Sequence, residues 1–181
     1  MICMTKVLVS NVVAQLDMRS PHDHFITVTG ELVAVYTLTA DGIQATISGT
    51  DLQINGGTAS VNSTVQSSWD NGLRTNVIDT KWIGTTARGQ DATRTGDYTT
   101  VVDPVDRCIA IDGDWETQVG GRAWDTTVSG FSKCAGECPA DGGSIVWQAA
   151  GATLTVSYDG SATATWEHSN GSSGTIALPC L

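Results

Sequence analysis

From Leu32 onward, apolar side chains return at every second position, a period that fits a half-buried strand and not a helix. Leu32, Ala34, Tyr36 and Leu38 share one face; after Asp41-Gly42, Ile43, Ala45 and Ile47 alternate with Gln44, Thr46 and Ser48. Leu52 and Ile54 lead into Asn55-Gly56-Gly57, and Ala59, Val61, Val65 and Trp69 then line a long strand that ends at Asp70-Asn71-Gly72. Such dipeptides supply the positive φ angles of tight hairpins, so neighbouring segments should run antiparallel, as a meander.

The second half carries enough turn signals to set registers. Gly120-Gly121 as a two-residue loop pairs Val119 with Arg122, Thr117 with Trp124 and Trp115 with Thr126. A loop over 149–152 pairs Trp147 with Leu154 and Ile145 with Val156. At Asp159-Gly160 a strict two-residue turn would put Leu154, Val156 and Tyr158 on the face opposite Ala162, Ala164 and Trp166. A three-residue loop pairing Tyr158 with Ala162 puts them all on one face, and burial selects that register. Ile176, Leu178 and Cys180 then oppose Trp166, Ala164 and Ala162.

Residues 84–100 break the pattern. They are polar, carry Arg88 and Arg94, and read as a long irregular connection ahead of Pro104. Because this stretch has little to bury yet carries two cations on an acidic chain, it is the expected contact region: paired guanidinium groups suit a carboxylate or sulfate. The fold expected is all-β, an antiparallel meander forming a sandwich or a strongly curved, barrel-like sheet. Residues 1–24 form an N-terminal segment and 25–181 a single domain, with possible sub-parts 25–100 and 105–181.

Composition agrees. Thr is the commonest residue, Gly numbers 20, and charged residues make up only 15%. The net charge of −10 makes nucleic acid and anionic membranes poor partners. No apolar run reaches the ~20 residues of a membrane-spanning helix. Near the start, Ser10 and Asn11 interrupt Val7-Leu8-Val9 and Val12-Val13-Ala14, a short core for a signal peptide and better suited to a first strand or helix.

Export is therefore argued from cysteines. Cys108, Cys134, Cys138 and Cys180 are expected to form two disulfides, which imply an oxidising compartment. The register brings Cys138 and Cys180 to the same end of the sheet, and Cys108–Cys134 follows by elimination; Cys134–Cys138 with Cys108–Cys180 is the alternative. A zinc site usually draws two close pairs, and only C-x₃-C is close here. Cys3 is left free.

The run from Cys108 to Cys180 resembles all-β domains of bacterial envelope or lipoprotein type. The matching elements are C-I-A-I-D-G-D, the V-G-G-R hairpin, C-A-G-E-C-P followed by G-G, Y-D-G-S-A-T-A-T-W and G-T-I-A-L-P-C. The resemblance implies fold and compartment. It carries over no activity and no site residue.

Tests for chemistry return little. His22 and His24 would point the same way on a strand, yet they read as a polar lead-in after Pro21. Asp112-Gly113-Asp114 with Asp103 and Asp106 lacks the regular oxygen spacing of a calcium loop. No G-x-S-x-G elbow or phosphate-binding glycine motif occurs, and nothing singles out two of Glu31, Glu116, Glu137 and Glu167 as a glycosidase pair. His168 reads as a strand residue near Trp166. The six Trp are expected mostly to fill the core, with Trp82 and Trp124 the least secure there and so the candidates for a sugar-stacking surface.

The favoured function is a non-catalytic, secreted or cell-envelope structural or interaction domain, with no cofactor and an envelope glycan or protein as partner. A carbohydrate- or small-ligand-binding β module comes second and a metal-dependent hydrolase third.

Overall fold

A computed structural model describes residues 5–9, 14–16 and 26–180. The protein is all-β, with strands β1 (Thr5–Val9), β2 (Ala14–Leu16), β3 (Ile26–Thr39), β4 (Gly42–Ile54), β5 (Gly57–Asp70), β6 (Leu73–Thr85), β7 (Asp91–Asp103), β8 (Cys108–Val119), β9 (Arg122–Cys134), β10 (Ser144–Ala149), β11 (Ala152–Tyr158), β12 (Thr163–His168) and β13 (Ser173–Ala177). From β3 onward every strand neighbours the next in sequence, and β1 and β2 both pair with β3. Among the described residues the strands follow one antiparallel meander path. His22, Asp23, His24 and Cys3 lie outside the described residues.

The turn chemistry explains this regularity. In Asn55-Gly56, Asn71-Gly72 and Gly120-Gly121 both central residues have positive φ, 48° and 83°, 50° and 85°, 55° and 81°. That conformation is the type I′ turn, whose twist matches that of the flanking strands, and Asn and Gly tolerate it.

Two compact units compose the chain. The first comprises Met1–Gln66, Asp79–Thr95 and Gln118–Arg122; the second comprises Ser67–Ile78, Gly96–Thr117 and Ala123–Leu181. In the first, Leu38 pairs with Ile43, Tyr36 with Ala45 and Ala34 with Ile47, as the alternation requires. The register shifts once, between Thr29 and Glu31, where Asp51 on β4 takes φ 55°. This extra residue is a bulge. It keeps Leu52 on the same buried side as Gly49 and Ala45, where simple alternation would have turned it out.

Residues 84–100 are not an irregular connection. Strand β6 continues to Thr85, a short loop over 86–90 is closed by the Thr86 amide donating to the Gln90 carbonyl (2.8 Å), and β7 begins at Asp91. The stretch was hard to read because Thr, Asp and Arg occupy both faces of β7, which erases the contrast between sides. In the second unit its Gly96 permits close pairing: a Cβ there would collide with the Asp114 carbonyl oxygen and with Trp115 Cβ.

The second unit also revises two registers. Trp147–Leu154 and Ile145–Val156 pair as expected. Tyr158, however, pairs with Ala164, Val156 with Trp166, and Ala164 with Ile176, each displaced by two residues from the expected partner. A slip of two keeps every side chain on its face, so burial could select the face but not the pairing. Ala162 and Ile176 are exposed, the latter on the terminal strand β13, whereas Val156 and Ala164 are buried.

Buried apolar positions are small. Among the described residues Ala45, Leu52, Ala59, Ala92, Val128, Val156 and Ala164 supply them, and the largest fully enclosed side chain is Thr126. The expected indole-filled core is not found. Trp82, Trp115, Trp124, Trp147 and Trp166 are half-buried, lying along the sheet rather than inside it, and Trp69 is 54% exposed.

Candidate functional site

The two disulfides are Cys108–Cys134 and Cys138–Cys180. The first depends on a register change. The Gly120-Gly121 turn sets Asp114 opposite Thr127, and the Thr127 hydroxyl donates to Asp114. Continued without interruption, that ladder would face Cys108 with Lys133 and point Cys134 the other way. Instead Gly130 adopts φ 59°, its amide donates to Asp112 Oδ1 (2.6 Å), and farther along the Ala135 amide donates to the Arg107 carbonyl (3.1 Å). A glycine bulge thus shifts β9 by one residue and brings Cys134 opposite Cys108.

Beyond Cys134 the chain forms the loop 135–143. The Glu137 amide donates to the Cys134 carbonyl and the Ala140 amide to the Ser132 carbonyl. Cys138 ties this loop to the C-terminal end. A cleft of about 430 Å³ opens here, lined by Lys133 and Glu137 together with Cys134 and Cys138. Beside it Phe131 meets Tyr158 edge-on at 5.3 Å. Burial pushes the Tyr158 phenol above its ordinary range. In the next loop, hydrogen bonds from the Ser161 hydroxyl and amide hold Asp159 below the usual carboxylate range.

A second, shallower dish of about 280 Å³ lies toward the 150–151 turn, lined by Glu116, Trp124, Asp125, Gln148 and the small residues Ala149, Ala150 and Gly151. The β8–β9 register sets Glu116 directly across from Asp125, and Gln148 of β10 is Asp125's partner on the other side. Two carboxylates and an amide therefore stand in one rank on three adjacent strands, all exposed. Among the described residues neither carboxylate has a hydrogen-bond or ion-pair partner. The other acids of these strands differ: Asp114 accepts from Thr127, and Asp112 from the Gly130 amide.

The residues singled out from sequence are dispersed. Arg88 is exposed in the loop 86–90, where its amide bonds the Thr86 hydroxyl oxygen. Arg94 stands on β7, not in a loop, and is engaged within the fold. Counting from the Thr86–Gln90 closure sets Arg94 across from Trp82 on one face, so these two come together while Arg88 stands apart. Trp124 lines the dish. His168 sits opposite Leu154, and its Nδ1 accepts the Asn170 amide (3.1 Å), a turn-forming duty. Asp103 Oδ1 accepts the Val105 and Asp106 amides, shaping the 104–107 turn. Among the described residues no three His, Cys, Asp or Glu gather as a metal site, and no helix is long and apolar enough to cross a membrane.

The Glu116–Asp125 pair was overlooked in the sequence although the signal was present. The Gly-Gly turn that pairs Val119 with Arg122 also pairs position 116 with 125.

No family model, curated protein or solved structure matches this chain.

Proposed function

We propose that this protein is a non-catalytic interaction module of an oxidising compartment, extracellular or in a bacterial envelope, as the resemblance over residues 108–180 implies. The observation that carries this reading is the convergence of both disulfides on one loop. Cys134 and Cys138 bracket three residues, and their partners come from the start of β8 and from the C-terminal end. Such bonds persist where thiols are not kept reduced. They hold a surface loop and its cleft in one conformation, which lowers the ordering cost of binding. Loops of this kind on a rigid β scaffold are where recognition usually resides.

The test is to export the protein to an oxidising compartment, map its thiols by non-reducing mass spectrometry, and sediment it with envelope fragments. Two intact disulfides and retention that is lost on reduction are expected. Four alkylatable thiols in the folded, metal-free protein, or no retention at all, would overturn the reading.

A second reading, a carbohydrate- or small-ligand-binding module, is favoured by one feature, the half-buried indole of Trp124 at the second dish.

A further inference from the structure

We propose that the loop between Cys134 and Cys138 is an exchange site for small-molecule thiols, at which the two native disulfides rearrange into a Cys134–Cys138 bond and release the C-terminal end. This rests on the oxidised-module reading of the same loop and adds its regulation.

Chain geometry puts the two inner cysteines within each other's reach. Only Ala135, Gly136 and Glu137 separate them. The Glu137 amide donates to the Cys134 carbonyl (3.2 Å) and Gly136 takes φ 80°, so the chain reverses in a type II turn with glycine at its third position. The ends of such a turn lie within about 7 Å at Cα, and Cys138 is the next residue. A disulfide joins Cα atoms about 4.4–6.8 Å apart, so a small adjustment suffices to bridge Cys134 and Cys138. The Ala140 amide donates to the Ser132 carbonyl (2.8 Å) and holds the two arms of the loop together. Both cysteines line the cleft of about 430 Å³, and none of the four bonded cysteines is enclosed. The native partners are remote by contrast, 26 residues away for Cys134 and 42 for Cys138. A thiolate three residues away competes with them at high effective concentration and without closing a long loop.

The exchange needs no oxidant. A thiolate attacks Cys108 Sγ, the Cys108–Cys134 bond breaks, a mixed disulfide forms on Cys108, and Cys134 leaves as a thiolate. Cys134 Sγ then attacks Cys138 Sγ. The Cys138–Cys180 bond breaks, Cys134–Cys138 forms, and Cys180 leaves as a thiolate that takes up the proton given up by the incoming thiol. One thiol enters and one thiol results, with two disulfides before and after. Attack on Cys180 first gives the same central bond, with the mixed disulfide on Cys180 and Cys108 freed. The rearrangement removes the covalent tie between the loop and the C-terminal end. Strand β13 pairs with β12 over only five residues, Thr163–Ala177 to Glu167–Ser173, and its Ile176 is exposed. So short a ladder opens locally once untied.

The intact protein carrying Cys3→Ser, so that only these four cysteines exchange, is incubated with graded glutathione, quenched in acid, alkylated and mapped by mass spectrometry. Without glutathione the map should show the native pairs. As glutathione rises, the main opened species should carry Cys134–Cys138, with Cys108 and Cys180 thiolated or alkylated. Hydrogen exchange should then show β13 losing protection while β3 and β4 keep theirs. Adding Cys108→Ser places a free thiol at Cys134 beside the Cys138–Cys180 bond. The fraction that keeps β3 and β4 protection should then contain Cys134–Cys138 and an alkylated Cys180 with no added thiol. Opened wild-type species that keep one native bond and lack Cys134–Cys138, native pairs that persist until all four thiols appear, or folded Cys108→Ser protein with Cys138–Cys180 intact and Cys134 alkylated would each overturn the proposal. Any of these after native pairs at the start would leave the module reading in place, whereas four thiols at the start would sink both.

Discussion

The β3–β4 hairpin and the run β10 to β13 solve the same problem by different means. Strands β3 and β4 are 14 and 13 residues long and stay paired from Leu38–Ile43 to Val28–Ile54 with one shift of register. Strands β10 to β13 have only 6, 7, 6 and 5 residues. A short strand fixes few cross-strand pairs against the entropy of its own ordering. The short region compensates with buried Val156 and Ala164, an indole laid on Gly174, and a disulfide at its end. The long hairpin, among the described residues, has no covalent tie. Ladder length and cross-linking thus act as alternative sources of stability within one sheet.

The largest effect should come from removing the tie. Loop closure across 42 residues is worth about 4 kcal/mol in the chain-entropy account, and across 26 about 3.5 kcal/mol. Replacing Cys138 and Cys180 together with Ser should cost about that much in urea unfolding. Hydrogen exchange should then show β10 to β13 losing protection first. If the β3–β4 amides lost protection equally, the two regions would be one cooperative unit and the contrast would fail.

In the long hairpin the matching weak point is Leu52, 4% exposed and packed on Gly30 and Gly49. Leu52→Ala should cost about 3 kcal/mol, with no dependence on redox state. A cost below 1 kcal/mol would mean that the ladder alone carries this hairpin. Trp166→Ala comes next, at about 2 kcal/mol. That is less than an enclosed Trp would lose, because the ring is half-buried over Gly174.

A gain is expected at Asp51. Its φ of 55° is strained for a residue with a side chain, so Asp51→Gly should stabilise by about 0.5–1 kcal/mol, and Asp51→Val should destabilise. A loss with Gly would show that the aspartate side chain, not the backbone angle, holds the bulge.

The smallest effect concerns Tyr158. Its pKa is raised in the folded state by burial. The contribution is therefore fully present below the ordinary tyrosine value and is lost as pH climbs through the raised one. The difference in phenolate absorbance between wild type and Tyr158→Phe should develop above about pH 10. A difference centred at or below pH 10 would contradict the burial.

How much of this was legible in the sequence depended on contrast between faces. Where polar and apolar residues alternate cleanly, as in Leu32 to Ile47 or Ile145 to Val156, faces and even partners could be read. Where Thr occupies both sides, as in β7, the strand itself vanished from view. The Cys138–Cys180 pairing followed from which end of the sheet each residue reaches, a coarse property. Cys108–Cys134 was reached only by elimination, because one glycine in the middle of β9 sets its geometry and nothing in its neighbours announces a bulge. The indoles were misjudged for another reason: amphipathic rings score as core residues by hydrophobicity, while the sheet gives them only partial cover. The carboxylate pair of the dish was within reach, since a turn that fixes one pair fixes every pair up to the next bulge.

That glycine in β9 also sets how the chain can change over generations. Substitutions along the hairpin leave the count of residues between the Gly-Gly turn and the two cysteines untouched. A single deletion or insertion does not. It inverts the parity of everything beyond it, turns one sulfur to the wrong side of the sheet, and strands both thiols. Lineages carrying this hairpin should therefore tolerate point replacement freely while admitting length changes in β8 and β9 only as compensated pairs.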